Sequence, residues 1–217
     1  MQLSNQTITL LCMSDKPMIK PAKLTREVIN GKSAGVSAAS YDMTIGHNLT
    51  LGIHPGLIIA NHVTAGNNFD KGVGGDLYKL QDALEDNPSH TALAFTAEDL
   101  DLPNFIGAQV ADKSSYARVF VSALNTFADP GFTGNLTLEL INHGPEPVTI
   151  KAGDPIVQLL FTTLDQSTTN PYVGKYQHQT KEAHGARYEA PTSDVTSYGD
   201  GTDKPQYDYQ AIKLKES

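Results

Sequence analysis

The sequence predicts a mainly β protein with few short helices. Short apolar runs recur along residues 91–164, and turn-forming residues interrupt them roughly every 8 to 15 positions, as is typical of all-β folds. The 217 residues include 18 glycines and 12 prolines, which indicate many turns. All-β chains of this length commonly form one domain, so we expect one core with appendages.

The first part of the chain predicts a short helix or strand, then β-strands, then an insertion. Residues 4–30 contain the turn-prone sequence SDKPMIKPAK after a short apolar run. Apolar residues then alternate with other residues over 41–45 and 49–53, and this period-two spacing predicts strands. Residues 64–91 are polar and glycine-rich, with a possible helix at DLYKLQDALED, and we expect a surface insertion there.

Four later segments predict the strands of the core, and a tail follows them. The segments read TALAFTAEDLDLP, IGAQVADKSSYARVFVSAL, GNLTLELINHG and PVTIKAGDPIVQLLFTTL. After Leu164 aliphatic residues become sparse, and six of the nine tyrosines lie in this polar stretch. We therefore predict a β domain over residues 1–164 and a polar lid and tail over residues 165–217.

Composition excludes several classes of protein. The formal net charge is -8 and no basic block occurs, which disfavours a polymeric nucleic-acid partner but leaves a small phosphate ligand possible. Cys12 is the single cysteine, so no internal disulfide framework or cysteine-cluster metal site can form. No apolar stretch approaches 18 residues, and no basic segment precedes the first apolar run. We expect a cytoplasmic protein that neither spans a membrane nor is secreted.

Common hydrolase motifs are absent from the sequence. The seven histidines form no His-x-Glu or His-Glu-x-x-His pattern, so we expect no zinc site, and His47, His54 and His62 are predicted to lie at the surface or in turns. A Ser-His-Asp triad lacks the Gly-x-Ser-x-Gly motif that would support it.

The sequence DPGFTGNLTLEL, residues 129–140, places a carboxylate on a predicted strand. Three leucines alternate with polar residues, so the leucines are predicted to face the core while Glu139 points to the opposite face with Thr137 and Asn135. A solvated polar face is the simplest interpretation. A binding site on that face is the alternative.

Two further segments carry donors suited to phosphate. The sequence ADKSSYARVF holds Ser114, Ser115 and Arg118, and GKYQHQ holds Lys175, Gln177 and Gln179 beside aromatic Tyr176. Hydroxyl, guanidinium and ammonium groups bind phosphate oxygens well. Each segment by itself is also compatible with an ordinary solvated turn or tail.

The order of these motifs resembles a known family. DKSSYAR, FADPGFTGNLTLELIN, AGDPIVQLLF and NPYVGKYQHQ together resemble the dCTP deaminase branch of the trimeric dUTPase-like superfamily, especially bifunctional members that convert dCTP to dUMP. The resemblance covers residues 91–180 well and residues 1–60 loosely, through MIKP and SAASYDMTIG. It implies a homotrimer with a distorted jelly-roll, or β-clip, barrel and nucleotide sites between subunits.

The resemblance also implies residue roles in the central motifs. Ser114 corresponds to the serine that binds phosphate and positions water, and Arg118 lies beside that water and the nucleotide. Asp129 corresponds to the nucleoside-binding aspartate, and Glu139 to the general base of deamination. These four are the implied catalytic residues. The same motif adds Lys113 and Ser115 to the substrate-binding residues.

Further substrate-binding residues are implied around and beyond the core. Phe127 stands where bifunctional members have an aromatic residue, and Gln158 lies on the strand that contacts the triphosphate. Tyr172 matches a tyrosine near the base or sugar, while Lys175 and Gln179 lie over the phosphates. The tail is expected to close as a lid over the bound nucleotide.

The implied chemistry needs Mg²⁺ bound mainly by the triphosphate of dCTP or dUTP, with no zinc and no metal site made by the protein. Three alternatives remain: a dUTPase, a deaminase that stops at dUTP, and a non-catalytic nucleotide sensor. The loop LNTFAD departs from the family pattern, because it lacks the usual threonine-alanine-glycine and is two residues shorter between Arg118 and Asp129. A modified pyrimidine triphosphate is therefore also open as substrate.

Overall fold

A computed structural model describes residues 1–58 and 83–187, and its fold is mainly β, as the sequence predicts. Residues Met1–Gly185 form one compact unit, and Ala186–Ser217 form a second unit that lies almost wholly outside the described residues. Residues 165–185 thus belong to the same compact unit as the β-strands. The domain boundary after residue 164 stays a prediction.

The described elements are short. Helix α1 spans Asn5–Cys12 and helix α2 spans Ser114–Ala117, and residues 55–58 and 83–85 are also helical. The strands are β1 (Ile19–Lys20), β2 (Glu27–Ile29), β3 (Lys32–Val36), β4 (Tyr41–Thr44), β5 (Leu49–Leu51), β6 (Thr91–Phe95), β7 (Asp99–Asp101), β8 (Ile106–Asp112), β9 (Val121–Ala123), β10 (Phe127–Ala128), β11 (Thr133–Gly134), β12 (Thr137–Asn142), β13 (Val148–Ile150) and β14 (Pro155–Thr163).

The strands form antiparallel sheets. The largest described sheet has the order β10-β8-β14-β4-β3-β2, and its central strand β14 pairs with β8 on one side and β4 on the other. A second sheet has the order β6-β12-β9, a third β1-β7-β11, and β13 pairs with β5. Because β12 is the middle strand of its sheet, both of its edges are hydrogen-bonded and its side chains are held in fixed register.

One apolar core joins these sheets. Its fully buried side chains come from α1 and from most of the longer strands, and burial of this apolar surface is the main stabilising contribution. The largest of them are Tyr41, Phe161, Ile8, Met18, Ile19, Met43, Ile45, Leu51, Leu100, Ile106, Leu138 and Leu140. Cys12 packs in the same core, and its burial raises the pKa of the thiol to about 11.

Several local predictions can be compared with this fold. The first element is a helix, α1, and the period-two segments form β4 and β5. The predicted helix at residues 76–86 lies mostly outside the described residues, although 83–85 are helical. No described helix is long and apolar enough to cross a membrane.

The prediction for Asn135 is wrong. It places Asn135 on the same face as Glu139, but Asn135 is fully buried, and its amide donates hydrogen bonds to the carbonyl oxygens of Thr96 (2.8 Å) and Glu98 (3.1 Å). The alternation fails because β11 ends at Gly134, which has a φ of 122°, and β12 begins only at Thr137. The irregular backbone between the two strands turns the amide inward.

Candidate active site

Glu139 lies on the middle strand of the β6-β12-β9 sheet, facing away from the core. Leu136, Leu138 and Leu140 are buried, and the side chain of Glu139 is half-buried on the other face with that of Thr137. The predicted alternation of this strand is therefore confirmed from Leu136 onward. Strand pairing on both edges leaves the Glu139 backbone little freedom.

Two leucines flank Glu139. Leu93 on β6 is its direct cross-strand partner, and on the opposite edge the Leu124 N–H donates a 2.9 Å hydrogen bond to the Glu139 carbonyl oxygen. Residues opposite each other in an antiparallel pair project to the same face. Leu93 is 42% exposed and Leu124 is 51% exposed, so both present apolar surface beside the carboxyl group.

The Glu139 carboxyl group is partly removed from solvent. Its Oε2 atom is buried and has no hydrogen-bond partner among the described residues. Burial raises the pKa of Glu139 above its ordinary value, and a hydrogen bond from the backbone at Glu139 offsets this only in part. A carboxyl group with a raised pKa is a stronger base than an ordinary carboxylate, which suits a group that accepts and returns a proton.

The tail segment lies beside Glu139 on the same chain. Thr137 Oγ1 donates a 2.8 Å hydrogen bond to the side-chain oxygen of Gln179, and the backbone of Gln179 forms a parallel bridge with Gly134. The Asn135 N–H donates to the Gln179 carbonyl oxygen at 3.3 Å, and the His184 N–H donates to Thr137 Oγ1 at 3.3 Å. These bonds bring Gln179 to the strand that carries Glu139, and its predicted contact with the phosphates stays a prediction.

Tyr172 and Gln177 attach the tail to the turn before β11. The Tyr172 N–H donates to the Pro130 carbonyl oxygen at 2.8 Å, and its ring lies 5.9 Å from that of Phe132. The Gln177 amide donates to the carbonyl oxygens of Gly131 and Tyr172. The sequence groups Gln177 with the polar residues suited to phosphate, but it does not reveal these backbone partners, which lie up to 46 positions away.

Asp129 is exposed at the start of that turn, and its carboxylate has no partner among the described residues. Its carbonyl oxygen accepts a 3.0 Å hydrogen bond from the Phe132 N–H, which closes the turn. Gly131 has a φ of 87°, and a Cβ atom there would lie 2.6 Å from Pro171 Cβ. Glycine therefore permits both the left-handed backbone and the close approach of the tail.

Helix α2 presents a second group of polar side chains. Ser114, Ser115 and Arg118 are exposed, and their side chains have no partner among the described residues. Lys113 points the other way, and its ammonium forms a buried 2.7 Å ion pair with Asp42. Lys113 thus has an internal partner that the sequence does not reveal, and its contact with substrate stays a prediction.

The other predicted residues lie on the sheets and the tail. Gln158 on β14 donates a 2.9 Å hydrogen bond to the Asp112 carbonyl oxygen, so its amide nitrogen is already engaged within the chain. Phe127 on β10 is half-exposed, and its ring covers Gly107. Lys175 has its ammonium 5.5 Å from the centroid of the Tyr176 ring. Their contacts with substrate stay predictions.

Histidines do not form a metal site in the described residues. His47 stacks on Phe95 with a centroid separation of 4.8 Å, and His54 meets the ring of His90 at 4.6 Å. His62 lies outside the described ranges. Within those ranges, no group of three or more histidine, cysteine, aspartate or glutamate side chains could hold a metal ion.

The fold and these groups define a mainly β protein that presents a desolvated carboxyl group and a set of hydrogen-bond donors. A family model described as dCTP deaminase-like matches residues 12–164. The chain therefore belongs to the dCTP deaminase-like family, and the resemblance drawn from the sequence motifs is confirmed.

Three curated relatives illustrate this similarity. The dCTP deaminase of Pyrococcus horikoshii is 39% identical over 94 residues, which are 43% of this chain and 60% of the relative. The dUMP-forming dCTP deaminase of Aquifex aeolicus is 32% identical over 145 residues, 66% of this chain and 76% of the relative. The dCTP deaminase of Campylobacter fetus is 33% identical over 150 residues, 68% and 77% of the two chains.

Solved structures are similar at a lower level. The 2'-deoxycytidine 5'-triphosphate deaminase from Agrobacterium tumefaciens has a TM-score of 0.45 and 21% identity, covering 74% of this chain and 47% of that one. The EIAV dUTPase has a TM-score of 0.40 and 15% identity, covering 64% of this chain and 87% of that one.

Proposed function

We propose that the protein deaminates dCTP by hydrolysis and releases pyrophosphate, so that the product is dUMP. The observation that carries this proposal is the Glu139 carboxyl group in the family-matched region. Its pKa is raised, and its buried Oε2 atom has no partner in the part of the chain that the structure describes. Relatives over that region are named dCTP deaminase, and some are named dUMP-forming.

Deamination requires a base because neutral water attacks C4 of cytosine poorly. Glu139 accepts a proton from the attacking water while the new C4–O bond forms, and it passes this proton to N3. Glu139 then takes the proton of the new C4 hydroxyl group and passes it to the amino group, so that the C4–N bond breaks, the C4 carbonyl forms and ammonia leaves. Proton transfer by one positioned group contributes about 10² to 10⁴ in rate.

The other predicted residues bind the nucleotide and act in the second step, the release of pyrophosphate. Ser114, Ser115 and Arg118 are exposed donors for phosphate oxygens, and Asp129 anchors the sugar and helps to order a second water near the α-phosphorus. That water forms a bond to the α-phosphorus, the bond to the bridging oxygen breaks, and pyrophosphate leaves. The remaining proposed contacts are those of Lys113, Phe127, Gln158, Tyr172, Lys175 and Gln179.

Magnesium fits this donor set when it is held by the substrate. The exposed side chains on α2 are hydroxyl and guanidinium groups, which bind phosphate oxygens rather than a cation. When bound to the triphosphate, Mg²⁺ neutralises part of its charge and stabilises the departing pyrophosphate. An acidic chain can thus bind a polyanion.

We further propose a cytoplasmic homotrimer with the sites between subunits. Large apolar side chains are exposed after α2, namely Val119, Phe120 and Leu124, and assembly would bury them. Phe120 has a φ of 61°, a backbone conformation that costs a bulky residue about 1–3 kcal/mol. We expect Phe120→Gly to shift the protein to smaller species in analytical ultracentrifugation. Val28→Ser, at a similarly exposed apolar position on β2, is the control.

One observation keeps a modified pyrimidine open as the substrate base. The loop Leu124–Thr126 departs from the family pattern, and its first residue is hydrogen-bonded to the Glu139 backbone. A changed loop at this point alters the surroundings of the base and of the attacking water. The nucleotide assay should therefore include dCTP analogues with a substituent at C5.

The test is product analysis with dCTP and dUTP as parallel substrates. We expect ammonia, pyrophosphate and dUMP from dCTP. Pyrophosphate from dUTP without ammonia from dCTP would identify a dUTPase, and dUTP accumulation from dCTP would identify a deaminase alone. Absence of turnover on the whole panel, together with tight nucleotide binding, would identify a sensor.

A further inference from the structure

Helix α2 is too short to be stable by itself. It spans four residues, and an isolated helix of this length is unstable in water because one turn fixes several dihedral angles for very few hydrogen bonds. Its exposed side chains at Ser114, Ser115 and Arg118 can therefore have fixed positions only if tertiary contacts hold the turn.

Two buried residues of the turn supply those contacts. Lys113, at the N-terminal cap, pairs with Asp42 on β4, and Tyr116, three positions later, points inward from α2. The Tyr116 hydroxyl donates a 3.2 Å hydrogen bond to Asp154 Oδ2. Positions 113 and 116 lie on the same side of a helical turn, so the outward donors are held from beneath at two points.

Asp154 is the centre of a larger set of bonds. It is 2% exposed and lies in the turn between β13 and β14. Besides the tyrosine hydroxyl, its carboxylate accepts hydrogen bonds from the Asn30 amide (2.6 Å), the Lys32 ammonium (3.1 Å) and the Lys151 N–H (3.3 Å). Burial by itself would raise the pKa of Asp154, but these bonds and the Lys32 charge hold it below its ordinary value.

Two of the partners of Asp154 come from one hairpin. Asn30 and Gly31, with φ of 49° and 74°, form the two-residue turn between β2 and β3. Lys32 follows directly, and its ammonium also lies 5.4 Å from the centroid of the Tyr116 ring. The carboxylate therefore joins the β2–β3 hairpin, the β13–β14 turn and α2.

We propose that Asp154 is a positioning residue which, through Tyr116, fixes the α2 turn and so sets the affinity of its exposed donors for the phosphates of the substrate. This inference rests on the proposed function. Asp154 itself touches no reacting atom in this proposal. It differs from Glu139, whose buried Oε2 atom has no hydrogen-bond partner among the described residues.

The first test measures how readily the α2 turn opens in the absence of nucleotide. The N–H groups of Tyr116, Ala117 and Arg118 are hydrogen-bonded within the turn, so their deuterium exchange reports its opening. We expect Tyr116→Phe, which removes only the hydroxyl, to speed this exchange about fivefold. Tyr41→Phe is the matched control, because its buried hydroxyl bonds the Lys23 N–H instead. Unchanged exchange in Tyr116→Phe would overturn the proposal.

A double-variant comparison assigns the effect to Asp154. Asp154→Asn should also speed exchange in the turn, and adding Tyr116→Phe should then change it little, since the two residues act through one bond. Fully additive effects would show that Tyr116 holds the turn through packing and would overturn the role of Asp154.

The second test separates phosphate binding from chemistry. In Tyr116→Phe we expect the KM for dCTP to rise about fivefold to tenfold while kcat stays within about twofold, because uniform binding is lost. A fall in kcat with an unchanged KM would overturn the proposal. If the wild-type protein has no turnover at all, the proposed function fails, and the exchange experiment still decides whether Asp154 positions the turn.

Discussion

The surroundings of Glu139 and Asp154 form two contrasting regions of the molecule. Asp154 accepts hydrogen bonds from four groups, two of them on one hairpin, and its pKa is lowered. Glu139 has a buried oxygen with no partner among residues 1–58 and 83–187, two leucines lie beside it, and its pKa is raised. A satisfied carboxylate joins segments of a fold, whereas an unsatisfied one is held ready for a proton.

The largest expected effect comes from removing the unsatisfied carboxyl group. Glu139→Gln should lower ammonia release from dCTP by about 10² to 10⁴, because the amide keeps the size of the side chain but cannot accept a proton from water. Nucleotide binding, measured by calorimetry, should persist. Deamination at the wild-type rate would remove Glu139 from the mechanism.

Replacing Arg118, on the exposed side of α2, should have the next largest effect on activity. Its guanidinium has no described partner in the chain, so Arg118→Ala should leave the melting temperature nearly unchanged. Loss of charge-assisted hydrogen bonds to phosphate should lower kcat/KM about tenfold to a hundredfold. Arg26→Ala is a control, because Arg26 bonds serines on and beside β3. A large fall in melting temperature would make Arg118 structural.

The two carboxylates should affect stability in opposite directions. Because the folded-state pKa of Asp154 is lowered, its contribution is present above the ordinary value of 3.8 and is lost as pH falls through the folded pKa. Asp154→Asn should therefore cost about 1–3 kcal/mol of unfolding free energy at pH 7, and less in acid.

For Glu139 the pH dependence of the contribution to stability has the opposite sign. Its folded-state pKa is raised, so its contribution is fully present below the ordinary value of 4.5 and is lost as pH rises through the folded pKa. Glu139→Gln should therefore raise the melting temperature at pH 7 relative to wild type, and the difference should vanish in acid. Thermal unfolding of both variants from pH 3 to 8 checks the pair. Parallel pH dependence of the two variants would remove the distinction between the regions.

The sequence predicts the surroundings of Glu139 far better than those of Asp154. The alternation on β12 is local, so the outward direction of Glu139 follows from the positions of its neighbouring leucines. The bonds of Tyr116 to Asp154 and of Lys113 to Asp42 join residues 38 and 71 positions apart, and no periodicity encodes such pairs. Asn135 is mispredicted for a related reason, since its partners Thr96 and Glu98 lie on another segment.

The smallest expected effect concerns the apolar flank of Glu139. Leu124→Asn places a polar group beside the carboxyl group and reduces the desolvation that raises its pKa. A base must be deprotonated to act, so the acidic limb of the kcat profile for ammonia release should move to lower pH. Leu93→Asn, on the opposite flank, should move the limb in the same direction, whereas Val28→Asn on the distant β2 should leave it in place. A uniform fall in kcat with no movement of the limb would mean that Leu124 acts through the shape of the loop, and the raised pKa of Glu139 would then have to arise from burial beneath the tail.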